Sequence, residues 1–218
     1  MGEFGQQFWS IVWLSVRVSS CAVVISAAIG IPLGVWLGLS RFRGKRFVAA
    51  LLHTGMALPP VVVGLVLYML LSRTGPFGFA GWLFTPQAMI LAQTVLALPF
   101  VVGITSSAVS AVSGDLITQI RAMGASHWQT RWTVLLEARG GVLLAVAAAF
   151  GRSISEVGAV IIVGGNIEGH TRVLTTAIVF ETSKGEFAVA LALGAVLLAL
   201  ALLVNISILR LHGARISA

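Results

Sequence analysis

The stretch SGDLITQIRAMGASHWQTRWTVLLEAR, running from Ser113 to Arg139, decides the fold: it is polar and charged, has Gly124 near its middle, and lies between two long apolar stretches. Lipid offers such a helical segment nothing to pack against. A membrane protein that holds one on its face therefore holds it for a partner.

The apolar flanks extend over the whole chain. Its 218 residues are 58% hydrophobic and only 10% charged, with a mean hydropathy of +1.01, whereas soluble domains have about 45 to 50% apolar and about 25% charged residues. The chain is an integral membrane protein. Runs at 12–39, 47–71, 86–112, 142–163 and 187–209 each reach the roughly 20 residues needed to cross a hydrocarbon core of about 30 Å. They are continuous and rich in Leu, Ala and Val, without the alternation of barrel strands. The expected fold is all-α, a single membrane domain over 1–218 with about five transmembrane helices and a polar loop at 113–139. The first run is far longer than the roughly 7 to 15 apolar residues of a signal peptide and is expected to remain in the mature protein.

Basic residues orient the spans. Arg41, Arg43, Lys45 and Arg46 follow the first run, Arg121, Arg131 and Arg139 lie in the polar segment, and Arg210 and Arg215 end the chain. The positive-inside rule makes all three places cytoplasmic. The opposite loops carry only Arg73, Arg172 and Lys184, so the N-terminus is expected outside and the C-terminus in the cytoplasm of a multi-pass protein of the cytoplasmic membrane. The net charge of +7 sits at span ends, where anionic lipid and topology account for it; no nucleic-acid partner is expected. One cysteine, Cys21, and four scattered histidines give neither a disulfide nor a metal site. No GxxxxGK[ST] phosphate loop is present, so any ATP and Mg used by the machine must be bound by another chain.

Three further places carry special chemistry. Pro59 and Pro60 interrupt the second run, and each removes a backbone donor and crowds the preceding turn, so the helix must bend or break there. In lipid such a break needs neighbouring helices or a water-filled path, which leaves either a packing kink or a bend lining a translocation path. Pro32 and Pro99 pose the same alternative. In the fourth run Arg152, Ser153, Ser155 and Glu156 bring charge into hydrocarbon, where it is expensive and faces protein or a cavity. At i, i+4 the two charges share a helical face and can pair, as a structural bridge or as part of a path or gate. After that run, Gly164 to Thr176 holds Asn166, His170, Thr171 and Arg172 among glycines and threonines. This is either plain turn chemistry or an outer docking or gating surface, followed by a short helix from about Thr175 to Thr182 re-entering toward the bilayer.

The segment Arg121-Ala122-Met123-Gly124-Ala125-Ser126-His127-Trp128, with Val134-Leu135-Leu136-Glu137 after it, resembles the EAA loop of type I ABC transporter permeases, in which a glycine precedes a short apolar-Leu-Pro element by nine residues. Thr118, Gln119 and Ile120 occupy the Glu-Ala-Ala positions, and Glu137 stands in place of the proline. Leu58-Pro59-Pro60-Val61-Val62-Val63-Gly64-Leu65 and Ser155-Glu156-Val157-Gly158-Ala159 resemble elements of the molybdate, sulfate and tungstate permeases, and 163–176 is most similar to the tungstate group. The resemblance implies a type I ABC importer permease fold with a cytoplasmic coupling helix. It also implies a second copy of the chain, two cytoplasmic ATPase subunits and an external binding protein that delivers the oxyanion. Arg121, Ala122, Gly124, Ala125 and Ser126 would then form the ATPase coupling contact. Two other classes are weaker. A gradient-driven secondary transporter usually shows an inverted repeat, and no convincing one is found. A membrane enzyme needs nucleophile, base or metal ligands meeting at one depth, and Cys21, His53 and His127 lie on different elements.

Overall fold

The computed structural model describes residues 2–112 and 114–213; Ser113 and Arg215, named above, lie outside the described residues. Among the described residues ten α-helices follow one another: α1 (Gly2–Leu39), α2 (Lys45–Met56), α3 (Pro60–Leu71), α4 (Pro86–Ser110), α5 (Gly114–Ala122), α6 (His127–Glu137), α7 (Arg139–Ile154), α8 (Gly158–Gly164), α9 (Leu174–Ser183) and α10 (Phe187–Gly213), with a single 3-10 turn at Gly78–Ala80 between α3 and α4. No strand occurs among the described residues. Three helices, α1, α4 and α10, are each long and apolar enough to cross a membrane, and the number rises to five when bent pairs are counted as single spans.

The second run breaks where its prolines lie. Pro60 takes the first helical position of α3 and Pro59 precedes it in extended conformation, φ −64° and ψ 122°, as a residue before proline must. The two 12-residue halves, each about 18 Å long, meet at 94°. Pro32 and Pro99, by contrast, stay inside the continuous helices α1 and α4.

The fourth run corrects the sequence reading, because 142–163 is two helices. α7 stops at Ile154, the backbone turns through Ser155, Glu156 and Val157, and α8 restarts at Gly158. No proline marks this break. Its cause is tertiary and is described with the site below. At its other end α7 leaves α6 at 68° across Ala138.

The bundle is organised around α4, which packs along α1 on one side and on α7 and α8 on another. The α1–α4 seam depends on glycines spaced four apart. Gly30 faces Val101, Gly34 faces Thr105, and Gly38 faces Val109, each so closely that an added Cβ would lie under 3.0 Å from a neighbouring heavy atom. Small residues at i, i+4 and i+8 let membrane helices approach this way. One core cluster joins Val18, Met89, Leu96, Val160 and Val163 across α1, α4 and α8, and a second joins Val101, Phe150 and Ile154. α10 contributes little buried surface; Leu191, Leu198, Leu202 and Leu203 are exposed, as suits a helix facing lipid.

Candidate functional site

The two helix breaks lie against each other. The first turn of α3 abuts the start of α8, so that a Cβ on Gly158 would sit 3.0 Å from Val61 Cγ2 and 3.5 Å from Pro60 Cβ. One turn further, a Cβ on Gly64 would meet Ala159 Cα at 2.8 Å. Backbones this close require glycine on both helices.

Glu156 holds the second break in place. Its side chain is 2% exposed; Oε2 accepts from Arg152 Nη1 at 2.7 Å and Oε1 accepts from the Ala159 amide at 3.1 Å. One carboxylate thus neutralises Arg152 and satisfies a free N–H at the start of α8. The Glu156 carbonyl accepts from Thr175 Oγ1 at 2.9 Å, tying the break to α9. The expected pair exists, but Glu156 lies past the end of α7, so the two residues do not share a helical face. Ser155 closes α7 by donating its hydroxyl to Gly151 O at 2.8 Å. Ser153 is buried, and its Oγ has no partner. Of the six residues proposed for a path, Pro59, Pro60, Ser155, Glu156 and Arg152 are brought to this junction. Pro59 and Ser155 are exposed there, and Glu156 is sealed inside.

These surroundings are asymmetric, and mutations should report it. Glu156→Ala is expected to destabilise the bundle by about 3 kcal/mol, because it strands both Arg152 and the Ala159 amide. Glu156→Gln should cost roughly half as much, since its amide oxygen still accepts from Ala159. Exchanging the charges, Arg152→Glu with Glu156→Arg, should not restore stability, because arginine offers the amide no acceptor. Thermal unfolding in detergent measures all three; full rescue by the exchange would reduce the role of Glu156 to ion pairing.

The loop 164–173 is knit by its own polar groups. Thr171, fully buried, donates to Gly164 O at 2.6 Å and accepts from the Ile167 amide at 2.9 Å. Arg172 donates to Asn166 Oδ1 at 3.3 Å, pairs with Glu168 at 3.1 Å and lies 4.4 Å over the Phe180 ring. Gln7 donates to Glu168. His170 remains exposed. The residues named for this loop therefore build its turns, and an open cleft of about 380 Å³ between the start of α1, this loop and α9 lies beside them. The short helix expected after this loop is α9, Leu174–Ser183. Its first amide is capped by Ser15 Oγ at 2.8 Å, a partner 159 positions away that no local signal could reveal.

The polar segment forms two helices joined at Gly124. Gly124 has φ +85°, donates to Arg121 O at 3.0 Å, and is followed by an Ala125 amide donating to Ile120 O at 3.3 Å; this pair of bonds is the Schellman closure of a helix. Ser126 then opens α6 with a capping box: its Oγ accepts from the Gln129 amide at 3.2 Å, and Gln129 Oε1 accepts from the Ser126 amide at 2.7 Å. Arg121, Ala122, Gly124 and Ser126 are exposed at the outer turn. At the other end Val134 and Ala138 bury themselves with Val35 and Val109, anchoring the arm to α1 and α4. Among the described residues no three His, Cys, Asp or Glu side chains gather as metal ligands.

A helical bundle with spans broken at a shared junction, and with a polar two-helix arm rooted in its core, is built as a transport subunit. Residues 30–216 match the family described as the binding-protein-dependent transport system inner membrane component, and the chain belongs to that family. It is 49% identical over 201 residues to a probable anion ABC transporter permease protein of Haloferax volcanii, covering 90% of this chain and 87% of that one. It is 46% identical over 204 residues to the tungstate uptake system permease protein TupB of Peptoclostridium acidaminophilum, covering 93% and 89%. Its fold matches a chain of the MetNI methionine ABC transporter in an inward-facing crystal form, with a TM-score of 0.75 at 24% identity over 94% of this chain and 95% of that chain. The protein is a multi-pass type I ABC permease, a transport subunit, as the resemblance of its loop and break elements implied.

Proposed function

We propose that this chain is the permease of an ATP-driven importer that moves a tetrahedral oxyanion, most specifically tungstate, across the cytoplasmic membrane. The observation that carries the transport reading is the abutting of the breaks at Pro59–Pro60 and Ser155–Val157. Irregular backbone at membrane depth is tolerated where it is enclosed by protein or borders a water-filled path, and two such breaks with exposed Pro59 and Ser155 fit a path between paired subunits. The cargo reading rests on the similar permeases named above, one called an anion and one a tungstate permease, and on the similarity of 163–166 and 169–176 to the tungstate group. Molybdate, of nearly equal size and charge, is the alternative within the same class.

The complete machine would hold two copies of this chain, two cytoplasmic ATPase subunits carrying ATP and Mg, and an external binding protein. This chain would bind no cofactor. The N-terminus would face outward and the C-terminus the cytoplasm, following the clusters at Arg41–Arg46, Arg121–Arg139 and Arg210. In this reading the arm from Gly114 to Glu137 carries the closing motion of the ATPase pair into α7. Arg152 adds little net attraction for an anion, because Glu156 already neutralises it.

Uptake by cells expressing the permease with its ATPase and binding protein tests the cargo. Tungstate uptake is expected to exceed molybdate, and sulfate should compete weakly. Preferred transport of sulfate would overturn the tungstate assignment.

A further inference from the structure

A groove of about 210 Å³ runs between the C-terminal half of α1 and α6, lined by Ile31, Val35 and Trp36 on one wall and by Trp128, Arg131 and Trp132 on the other. Its walls are apolar apart from Arg131. Trp36, Trp128 and Trp132 are 48%, 72% and 55% exposed, too large an apolar area to stand open to water without a function. Ile31 and Val35 belong to a helix long and apolar enough to cross a membrane, so the groove begins on apolar side chains of that helix and runs toward its basic end. There Phe42 stacks on Trp36, with ring centroids 5.8 Å apart, and Arg41 and Arg43 flank Phe42. Among the described residues none of Arg41, Arg43 and Arg131 has an ion-pair partner.

We infer that this groove holds an anionic phospholipid, with an acyl chain along Ile31 and Val35 and its phosphate at Arg131 and the Arg41–Arg43 turn. Three observations select this occupant. One wall of the groove is the apolar side of a helix long and apolar enough to cross a membrane, a surface that suits a lipid chain. Tryptophans prefer the boundary between chain and headgroup. The lining holds one cation, Arg131, and no carboxylate, which favours an acidic headgroup over a zwitterionic one. A protein surface covering the tryptophans is the competing occupant, since Trp128 stands at the start of α6, close to the arm's exposed turn at Arg121 to Gly124, and the test below separates the two. Because α6 is the half of the arm that returns to the bundle, the lipid would brace α6 against α1. The assignment to the cytoplasmic leaflet rests on the topology proposed above, whereas the headgroup preference does not.

Native mass spectrometry of the purified full chain, offered equal phosphatidylglycerol and phosphatidylcholine in detergent, tests the site. Wild-type protein is expected to retain phosphatidylglycerol preferentially. Arg131→Gln should lower that retention about fivefold without altering phosphatidylcholine, and Arg131→Lys should keep most of it. Arg131 is exposed, so both variants should fold, as thermal unfolding can verify. Equal retention of the two lipids, or undiminished phosphatidylglycerol on Arg131→Gln, would overturn the inference. Displacement of phosphatidylglycerol from the wild type by the ATPase subunits would overturn it in favour of a protein occupant. Reporter fusions at the C-terminus read the topology separately, so an error there is distinguishable from an empty groove.

Discussion

Gly34→Leu is expected to destabilise the folded permease severely. A Cβ at this position would lie 2.7 Å from Thr105 Cβ and 2.9 Å from the Val102 carbonyl oxygen. The first contact is a β-branched side chain held in the bundle interior, and the second is backbone, so neither can move aside. α1 and α4 would have to separate along the seam that also carries Gly30 and Gly38. Overpacking a core costs about 1 to 3 kcal/mol and occasionally more; with backbone on the opposing side we expect the upper end, about 3 kcal/mol. That corresponds to about a hundredfold loss in the folded-to-unfolded ratio. Gly194→Leu is the matched control, since it also lies within a long apolar helix but has no heavy atom within 4 Å of its would-be Cβ. Folded yield in detergent and thermal unfolding should separate the two sharply. Similar yields would show that the glycine seam does not decide the fold.

How much of this arrangement the sequence carries differs from element to element. The apolar runs located α1, α4 and α10 to within a few residues, except that α1 begins well before residue 12, because hydrocarbon thickness imposes length directly. Pro59-Pro60 gave the second break, since a ring on nitrogen acts locally wherever it stands. The break at Ser155 to Val157 had no such mark. It arises because Glu156 reaches forward to the Ala159 amide and Gly158 admits α3 at close range; both reasons involve neighbours that spacing alone does not identify. Spacing did find the Arg152–Glu156 pair, though with the wrong backbone beneath it. The residues named for the outer loop were legible as turn formers, yet the hydrogen bonds from Thr171 and Arg172 became assignable only with the loop in place. The glycine seam was not read from the sequence: Gly30, Gly34 and Gly38 recur every four residues, but a period names one face of α1 and not the helix opposite.

A like contrast separates what holds the bundle from the arm proposed to couple it. The glycine seam and the Glu156 junction are densely packed, so tightly that each holds a buried hydroxyl, Thr105 and Ser153, without a partner. The arm is rooted where Val134 and Ala138 join Val35 and Val109, with Ile117 packed against them, and its outer turn presents exposed Met123 and Trp128. Deep changes should therefore be read in folding and arm changes in coupling.

Gly124→Trp should leave the membrane domain folded while removing uptake and transport-stimulated ATPase activity in the assembled importer. No heavy atom lies within 4 Å of a Cβ built at Gly124, so within this chain the new side chain meets no clash. It does meet the backbone, because φ is +85° and a left-handed residue other than glycine costs about 1 to 2 kcal/mol. That strain weakens the Schellman bonds from Gly124 and Ala125 that turn α5 into α6, and alone it would reduce occupancy of the native turn about tenfold. The open space beyond is where an ATPase surface would seat, and an indole there would block contact outright. A graded series separates the two effects. Gly124→Asn, which tolerates left-handed backbone, should retain most uptake; Gly124→Ala should lose a part set by strain; Gly124→Trp should lose nearly all. If Ala and Trp are equally impaired, the turn's geometry alone explains the defect and Gly124 does not face the partner. If the Trp variant transports normally, with its ATPase still stimulated, the arm does not couple at this position.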